Sequence, residues 1–180
     1  MKLIVVLFAL SVVATLGISS CSPKTTPSTT SSNATPQPVT KKTPGPLPDH
    51  GFKAQITPAE SSLKLRAGQQ QTISIKVKNI SDVIWWARGG ETNDRTDNMF
   101  YVAAGNRWLD KDGKLTHDTE GHNGIPKDLK PGEELEMTLD VIAPKTPGEW
   151  TMSLDLVQEG VTWFSEKGSS DTKVKVTVVK

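Results

Sequence analysis

One stretch of this sequence gathers four side chains suited to holding a ligand: Tyr101, Arg107, Trp108 and His117. Two amphipathic aromatics, a planar cation and an imidazole can stack on a ring and exchange hydrogen bonds around it. All four fall between Arg88 and Gly124, where turn formers crowd: Gly89-Gly90, Asn93-Asp94, Asp97-Asn98, Gly105-Asn106, Asp112-Gly113 and Gly121. Irregular segments run over the rim of a scaffold, and binding residues collect there. These four are therefore expected to line the surface the protein uses. The competing reading is that Tyr101 and Trp108 are rim packing.

The same stretch contains Thr116-His117-Asp118-Thr119-Glu120-Gly121-His122-Asn123-Gly124, the one close cluster of metal-type ligands in the chain. Its spacing matches no defined zinc signature, and a long polar loop between strands would look the same. No metal or other cofactor is assigned to it. Catalytic signatures are missing as well. There is no Gly-x-Ser-x-Gly, and Gly89-Gly90 is followed by Glu91 rather than by the Lys-Ser/Thr of a phosphate loop. Asp110 and Asp112 flank a Lys111-Asp112-Gly113-Lys114 turn and read as turn formers. The chain is expected not to be an enzyme.

Five tryptophans stand at 85, 86, 108, 150 and 163. Trp85 and Trp86 are adjacent, so on a strand they point to opposite faces and one of them fills the core. The other, with Trp108 and Trp163, is either sandwich packing or a stacking surface.

The elements that position these residues have a period of two. Ile73, Ile75 and Val77 alternate with polar residues, and so do Leu135, Met137, Leu139 and Val141. Trp150, Met152, Leu154 and Leu156 repeat the pattern, as do Val174, Val176 and Val178. Half-buried, half-wet strands are characteristic of antiparallel sheets. Ala67-Gly68, Pro131-Gly132 and Pro147-Gly148 fall just ahead of strands, and Glu159-Gly160 suits a tight hairpin. Met99–Ala103 reads as a short strand, with a second ending at Trp108-Leu109. The expected fold over residues 51–180 is an all-β, two-sheet antiparallel sandwich. With a single cysteine in the chain, it stands without a disulfide. That region has 17 basic and 19 acidic side chains, which gives none of the concentrated positive charge that nucleic-acid binding requires.

Several motifs occur in order: Lys76-Val77-Lys78-Asn79-Ile80-Ser81 followed by Trp85, then Ile125 to Glu133, Ala143-Pro144, Pro147-Gly148-Glu149-Trp150, and Leu154 to Phe164. Together they resemble the immunoglobulin-like modules appended to bacterial surface-glycan enzymes, and are similar to the four-tryptophan domain of autophagy receptors. The match spans most of residues 62–179. It implies an Ig-like binding or spacer module rather than a catalyst. No enzyme is attached here, so a carbohydrate role does not follow from position.

The N-terminal portion differs in kind. Met1-Lys2 is followed by a 16-residue uncharged stretch, Leu3 to Ile18, short for a spanning helix and right for a signal segment. It ends in Ile18-Ser19-Ser20-Cys21, which resembles the lipobox of bacterial lipoproteins at all four positions. The resemblance implies cleavage after residue 20 and lipidation of Cys21, with the mature chain held on the cell membrane or outer membrane and facing out of the cytoplasm. Residues 22–48 comprise 27 residues, of which 11 are Ser or Thr and 7 Pro. So little apolar surface cannot offset the entropy of ordering, and a disordered tether over 21–50 is expected.

The sequence thus describes a signal peptide over 1–20, a tether over 21–50 and an Ig-like sandwich over 51–180. Its leading functional reading is a non-catalytic binding module for an envelope glycan or envelope protein. The alternatives are a structural subunit of an envelope assembly, or a small metal-dependent enzyme built on His117 and His122.

Overall fold

The computed structural model describes residues 42–90 and 95–180, and for 117–120 the backbone alone. Alternating sequences form strands where one face can be buried, and nine do so: β1 (Ala54–Pro58), β2 (Ser62–Arg66), β3 (Gln70–Asn79), β4 (Val102–Leu109), β5 (Leu115–Gly124), β6 (Glu134–Ile142), β7 (Gly148–Gln158), β8 (Thr162–Trp163) and β9 (Thr172–Val179). They make two sheets. The smaller has the order β1-β3-β6; the larger runs β2-β9-β7-β4-β5, with β8 hydrogen-bonded to β7. The result is an all-β, Ig-like sandwich, antiparallel except where β2 runs parallel to β9.

The core lies between the sheets. From the smaller sheet come Ile75, Val77, Leu135, Leu139 and Val141, and from the larger Val102, Ala104, Trp108, Met152, Leu154, Leu156, Val174, Val176 and Val178. Register explains the partition, because residues paired across antiparallel strands share a face. Trp108 pairs with Met152, which pairs with Val174. One end is closed by an aromatic cluster in which Phe164 meets Phe52 and Trp85 edge-on, at 5.0 and 5.1 Å between ring centres. The Trp85 indole N–H donates to the Gly51 carbonyl at 2.9 Å, and Trp85 is fully buried while its neighbour Trp86 is half-exposed.

The turn before Trp85 is built on Asn79. Its buried amide donates to the Val83 and Leu129 carbonyls and accepts from the Ser81 amide and hydroxyl. The Asn79-Ile80-Ser81 motif is thus the device that turns β3 back across the end of the sandwich.

Three sequence expectations are corrected. The folded part begins before residue 51. Pro44 and Leu47 are buried, Leu47 belongs to the core, and the Gln158 side chain accepts from the Leu47 amide at 2.8 Å. One apolar residue among prolines suffices because the sandwich already offers it a site. The polar segment Thr116 to Gly124, for which a loop between strands is the alternative to a metal cluster, lies in the edge strand β5 (Leu115–Gly124), where backbone pairing to β4 needs no apolar side chains. The strand candidates around residues 99–103 and 108–109 are one strand, β4, which starts at Val102. Phe100 stands outside it at φ 67, a left-handed conformation unusual for a residue with a side chain.

Candidate functional site

Chemically active side chains gather on the outer face of the larger sheet, across β5, β4 and β7. Gly105 on β4 pairs with His122 on β5 and with Asp155 on β7, so these three form one row on one face. Arg107, two residues along β4, shares that face. β8 folds back beside β7 with Trp163 opposite Val157, which brings the indole over the row.

Gly105 makes this packing feasible. A Cβ there would lie 2.7 Å from the Trp163 ring and 3.0 Å from the Gly121 carbonyl oxygen. With no side chain beneath it, Trp163 settles onto the sheet. Its ring receives the Arg107 guanidinium at 4.5 Å and the His122 imidazole edge-on at 5.0 Å. His122 Nδ1 lies 2.9 Å from Glu159 Oε1.

Beneath the indole is a buried ion pair. Arg107 donates to Asp155 at 3.1 Å and to the Ser165 hydroxyl at 2.9 Å. The Arg107 side chain is 13% exposed and that of Asp155 1%. Asp155 also accepts from the Leu156 and Ser165 amides. Burial pushes its carboxyl above the usual aspartate value, and the bonds from Ser165 and Leu156 and the charge of Arg107 offset only part of this. Breaking such a pair on one side costs about 3–5 kcal/mol, so Arg107 acts first as a support for Trp163 and the turn at Ser165. The next row continues the polar face. Lys173 donates to Ser153, and both Ser153 and Lys173 bond Asp171.

Tyr101 extends the face toward the end of the sandwich. Its ring packs on Gly124, with ring atoms 3.5 Å from where a Cβ would stand. Its carbonyl accepts from the Glu159 amide at 3.0 Å. Burial and then the Glu159 charge raise the phenol above its ordinary value. Two aromatic rings, Trp163 and Tyr101, are thus each seated on a glycine of the same sheet face. Ala103, two residues before Gly105 on β4 and paired across to Gly124, is fully buried.

Of the four residues singled out in the sequence, the structure brings two to this face, Tyr101 and Arg107. Trp108 is corrected: it is fully buried and points between the sheets, so it lines no surface. Its neighbour Arg107 takes the outer side of the strand, and alternation leaves Trp108 the inner one. The side chain of His117 lies outside the described residues, as does Cys21 with the apolar segment before it. Sequence reasoning named His122 only as a candidate metal ligand with His117, and missed Glu159 and Asp155 as members of the site. The available signal was the row Tyr101-x-Ala103-x-Gly105-x-Arg107, small residues between large ones at a period of two.

No family model and no curated protein matches the chain. Among solved structures, the C-terminal domain of wzt is 12% identical, with 71% of each chain covered and a TM-score of 0.40. A mutant β-glucosidase from Listeria innocua in complex with laminaribiose is 13% identical over 71% of this chain and 16% of its own, with a TM-score of 0.41. The CARDB domain of a Pyrococcus furiosus protein in complex with di-metal ions is 14% identical over 71% and 91%, with a TM-score of 0.37.

Proposed function

We propose that this protein is a lipoprotein anchored through Cys21 on the outward face of a bacterial membrane, and that its Ig-like domain is a non-catalytic module binding an envelope glycan. The reading rests on one observation above the others: Trp163 and Tyr101 sit on Gly105 and Gly124 of a single sheet face, with the His122–Glu159 pair beside Trp163. Indole and phenol rings offer flat apolar area to the C–H face of a sugar, while imidazole and carboxylate exchange hydrogen bonds with its hydroxyls. The support is rigid, since the Arg107–Asp155 pair, the Ser165 turn and the β-ladder fix the indole before any ligand arrives. Preorganisation of this kind lowers the entropy lost on binding. The Ile18-Ser19-Ser20-Cys21 segment supports the anchor, which would hold the module at the envelope.

The test has two arms. Metabolic labelling with a radioactive fatty acid should mark the wild type and not Cys21→Ala. In the fragment of residues 22–180, which lacks Cys21 and the apolar segment before it, co-sedimentation with purified cell-wall glycan should be lost in Trp163→Ala while the circular dichroism spectrum is retained. Undiminished sedimentation of that variant would remove the glycan reading.

A further inference from the structure

We infer that the glycan bound at Trp163 is an acidic polymer, its sugars carrying carboxylate or phosphate groups, and that it runs across the outer face of the larger sheet onto a row of cations made by Lys175, Lys64 and Arg66. The inference rests on the glycan reading above and adds to it the charge of the ligand and the direction in which it lies.

Strand register builds the row. β9 turns Val174, Val176 and Val178 into the core and β2 turns Leu65 inward, so Lys173, Lys175, Lys64 and Arg66 all face outward. β2 runs parallel to β9, with Ser62 opposite Lys175, Lys64 opposite Thr177 and Arg66 opposite Val179. The cations therefore follow one another along this edge rather than crowding at one point. From the level of Lys173 to that of Arg66 is about 20 Å along the strands. The row also joins the aromatic site. Lys173 pairs with Ser153, which pairs with Arg107 beneath the Trp163 ring, so the first cation stands two strands, about 10 Å, from the support of the indole.

The charges on this edge lack the acidic partners that cations on the opposite sheet have. On the outer face of the smaller sheet, Lys76 and Lys78 stand opposite Glu136 and Glu134, and Lys76 lies 3.6 and 3.7 Å from the two carboxylates. Across β2 and β9 the partners of the cations are Ser, Thr and Val. Lys173 is taken by Asp171, but the exposed side chains of Lys175, Lys64 and Arg66 make no ion pair or hydrogen bond among the described residues. Glu149 faces the same way from β7 and accepts from the Thr177 hydroxyl at 3.1 Å, without pairing with a lysine. Residues 51–180 hold 17 basic and 19 acidic side chains, so the excess is local and not a property of the composition. Like charges side by side on one face repel, a cost that an anionic partner turns into attraction.

The large hydrophobic side chains exposed among the described residues are Ile80, Met99, Ile142 and Val161, and none lies on β2 or β9. The row thus has no apolar side chain to bury in a bilayer, on which interfacial binding draws. A polymer that stacks on Trp163 and lays its charges along the edge uses both features at once.

The test titrates the fragment of residues 22–180, which holds the whole described fold, with polygalacturonate, phosphomannan and uncharged dextran in a calorimeter. Both acidic polymers should bind more tightly than dextran, and their affinity should fall as salt is raised. Lys64→Gln combined with Lys175→Gln should weaken that binding about tenfold, as the loss of two exposed ion pairs would, and leave the urea midpoint in place. Lys127→Gln with Lys130→Gln removes the same charge from the exposed loop between β5 and β6 and should leave affinity unchanged. Three results would overturn the inference: acidic polymers bound no better than dextran, an equal loss in the two double variants, or anionic vesicles or duplex DNA bound as tightly through the same lysines. Cell-wall sedimentation that still depends on Trp163 would then leave the glycan reading standing. Lysine-dependent binding that Trp163→Ala does not touch would overturn both.

Discussion

Gln158 is the side chain on which the N-terminal strap depends, and replacing it with Met gives a sharp test of that role. The amide is fully buried at the end of β7 and makes three hydrogen bonds to backbone. It accepts from Leu47 at 2.8 Å, and it donates to Gly45 and to Phe100, each at 3.0 Å. Met fills nearly the same volume and offers no comparable donor or acceptor, so the change isolates the hydrogen bonds. Gly45 and Phe100 are half-exposed, so water can reach their carbonyls, and losing each bond costs about 0.5 kcal/mol. The Leu47 amide is buried and keeps no partner, which costs about 1–3 kcal/mol. The expected loss is about 3 kcal/mol, read as a shift of the urea midpoint in the fragment of residues 22–180. Leu47→Ala alone should cost about 2–5 kcal/mol as a core truncation. Combined with Gln158→Met it should cost clearly less than the sum, because both act by loosening one strap. Full additivity, or a Gln158→Met effect below about 0.5 kcal/mol, would refute the idea that this amide fastens the strap.

Two further outcomes follow from the site. Gly105→Ala should destabilise the protein by about 1–3 kcal/mol through overpacking, since its Cβ meets the Trp163 ring and the Gly121 carbonyl, and the Trp163 emission should shift as the indole is lifted. Asp155 and Asp171 should show opposite pH signatures. Burial raises Asp155, so its contribution to stability is full below the unfolded aspartate value and is lost as pH rises through the folded one. At Asp171 burial pulls upward but is outweighed by the bonds from Lys173 and Ser153. Its contribution is therefore present above the unfolded value and lost as pH falls through the folded one. Between about pH 3 and about pH 6, the stability of Asp155→Asn relative to wild type should rise and that of Asp171→Asn should fall; denaturant titrations across that range that show the same sign for both would contradict the assignment.

How far the sequence could be read depended on how each strand is covered. β3, β6 and β9 are wet on one face over much of their length, so apolar and polar residues alternate and their positions are legible. β7 is buried on both faces from Met152 to Gln158, and its alternation survives because Ser153 and Asp155, on the outer face, are polar though buried. β4 has Val102 to Asn106 all buried, because the core covers one face and the 159–165 region the other, and the alternation disappears. β5 is an edge whose polar side chains carry no period. The strap hid in a Pro-rich composition, with Leu47 its one buried leucine. The misplacement of Trp108 was avoidable. The parity argument that separates Trp85 from Trp86 also separates Arg107 from Trp108, provided residues 102–109 are taken as one strand. The Trp163 site was not legible, because it depends on Gly105 pairing with both His122 and Asp155, and register is a tertiary property.

The residues from Gln158 to Trp163 connect these features. Gln158 turns inward and fastens the strap. Glu159 turns outward to His122, while its backbone bonds Tyr101 and Phe100. Gly160 takes a φ of 75, allowing the tight return, and leaves room for Met99 against the tip. Trp163 then lies on Gly105. Because successive strand residues face opposite sides, one six-residue hairpin can hold the segment before β1 with one side chain and present an aromatic face with another. The two roles share a backbone and are therefore mechanically linked. Phe100, strained at φ 67, is bonded by both Gln158 and Glu159, so releasing the strap removes one of the contacts that hold it there. A change at the strap should therefore reach Tyr101, the next residue and part of the proposed glycan face, before it reaches Trp163, which the Arg107–Asp155 pair holds independently.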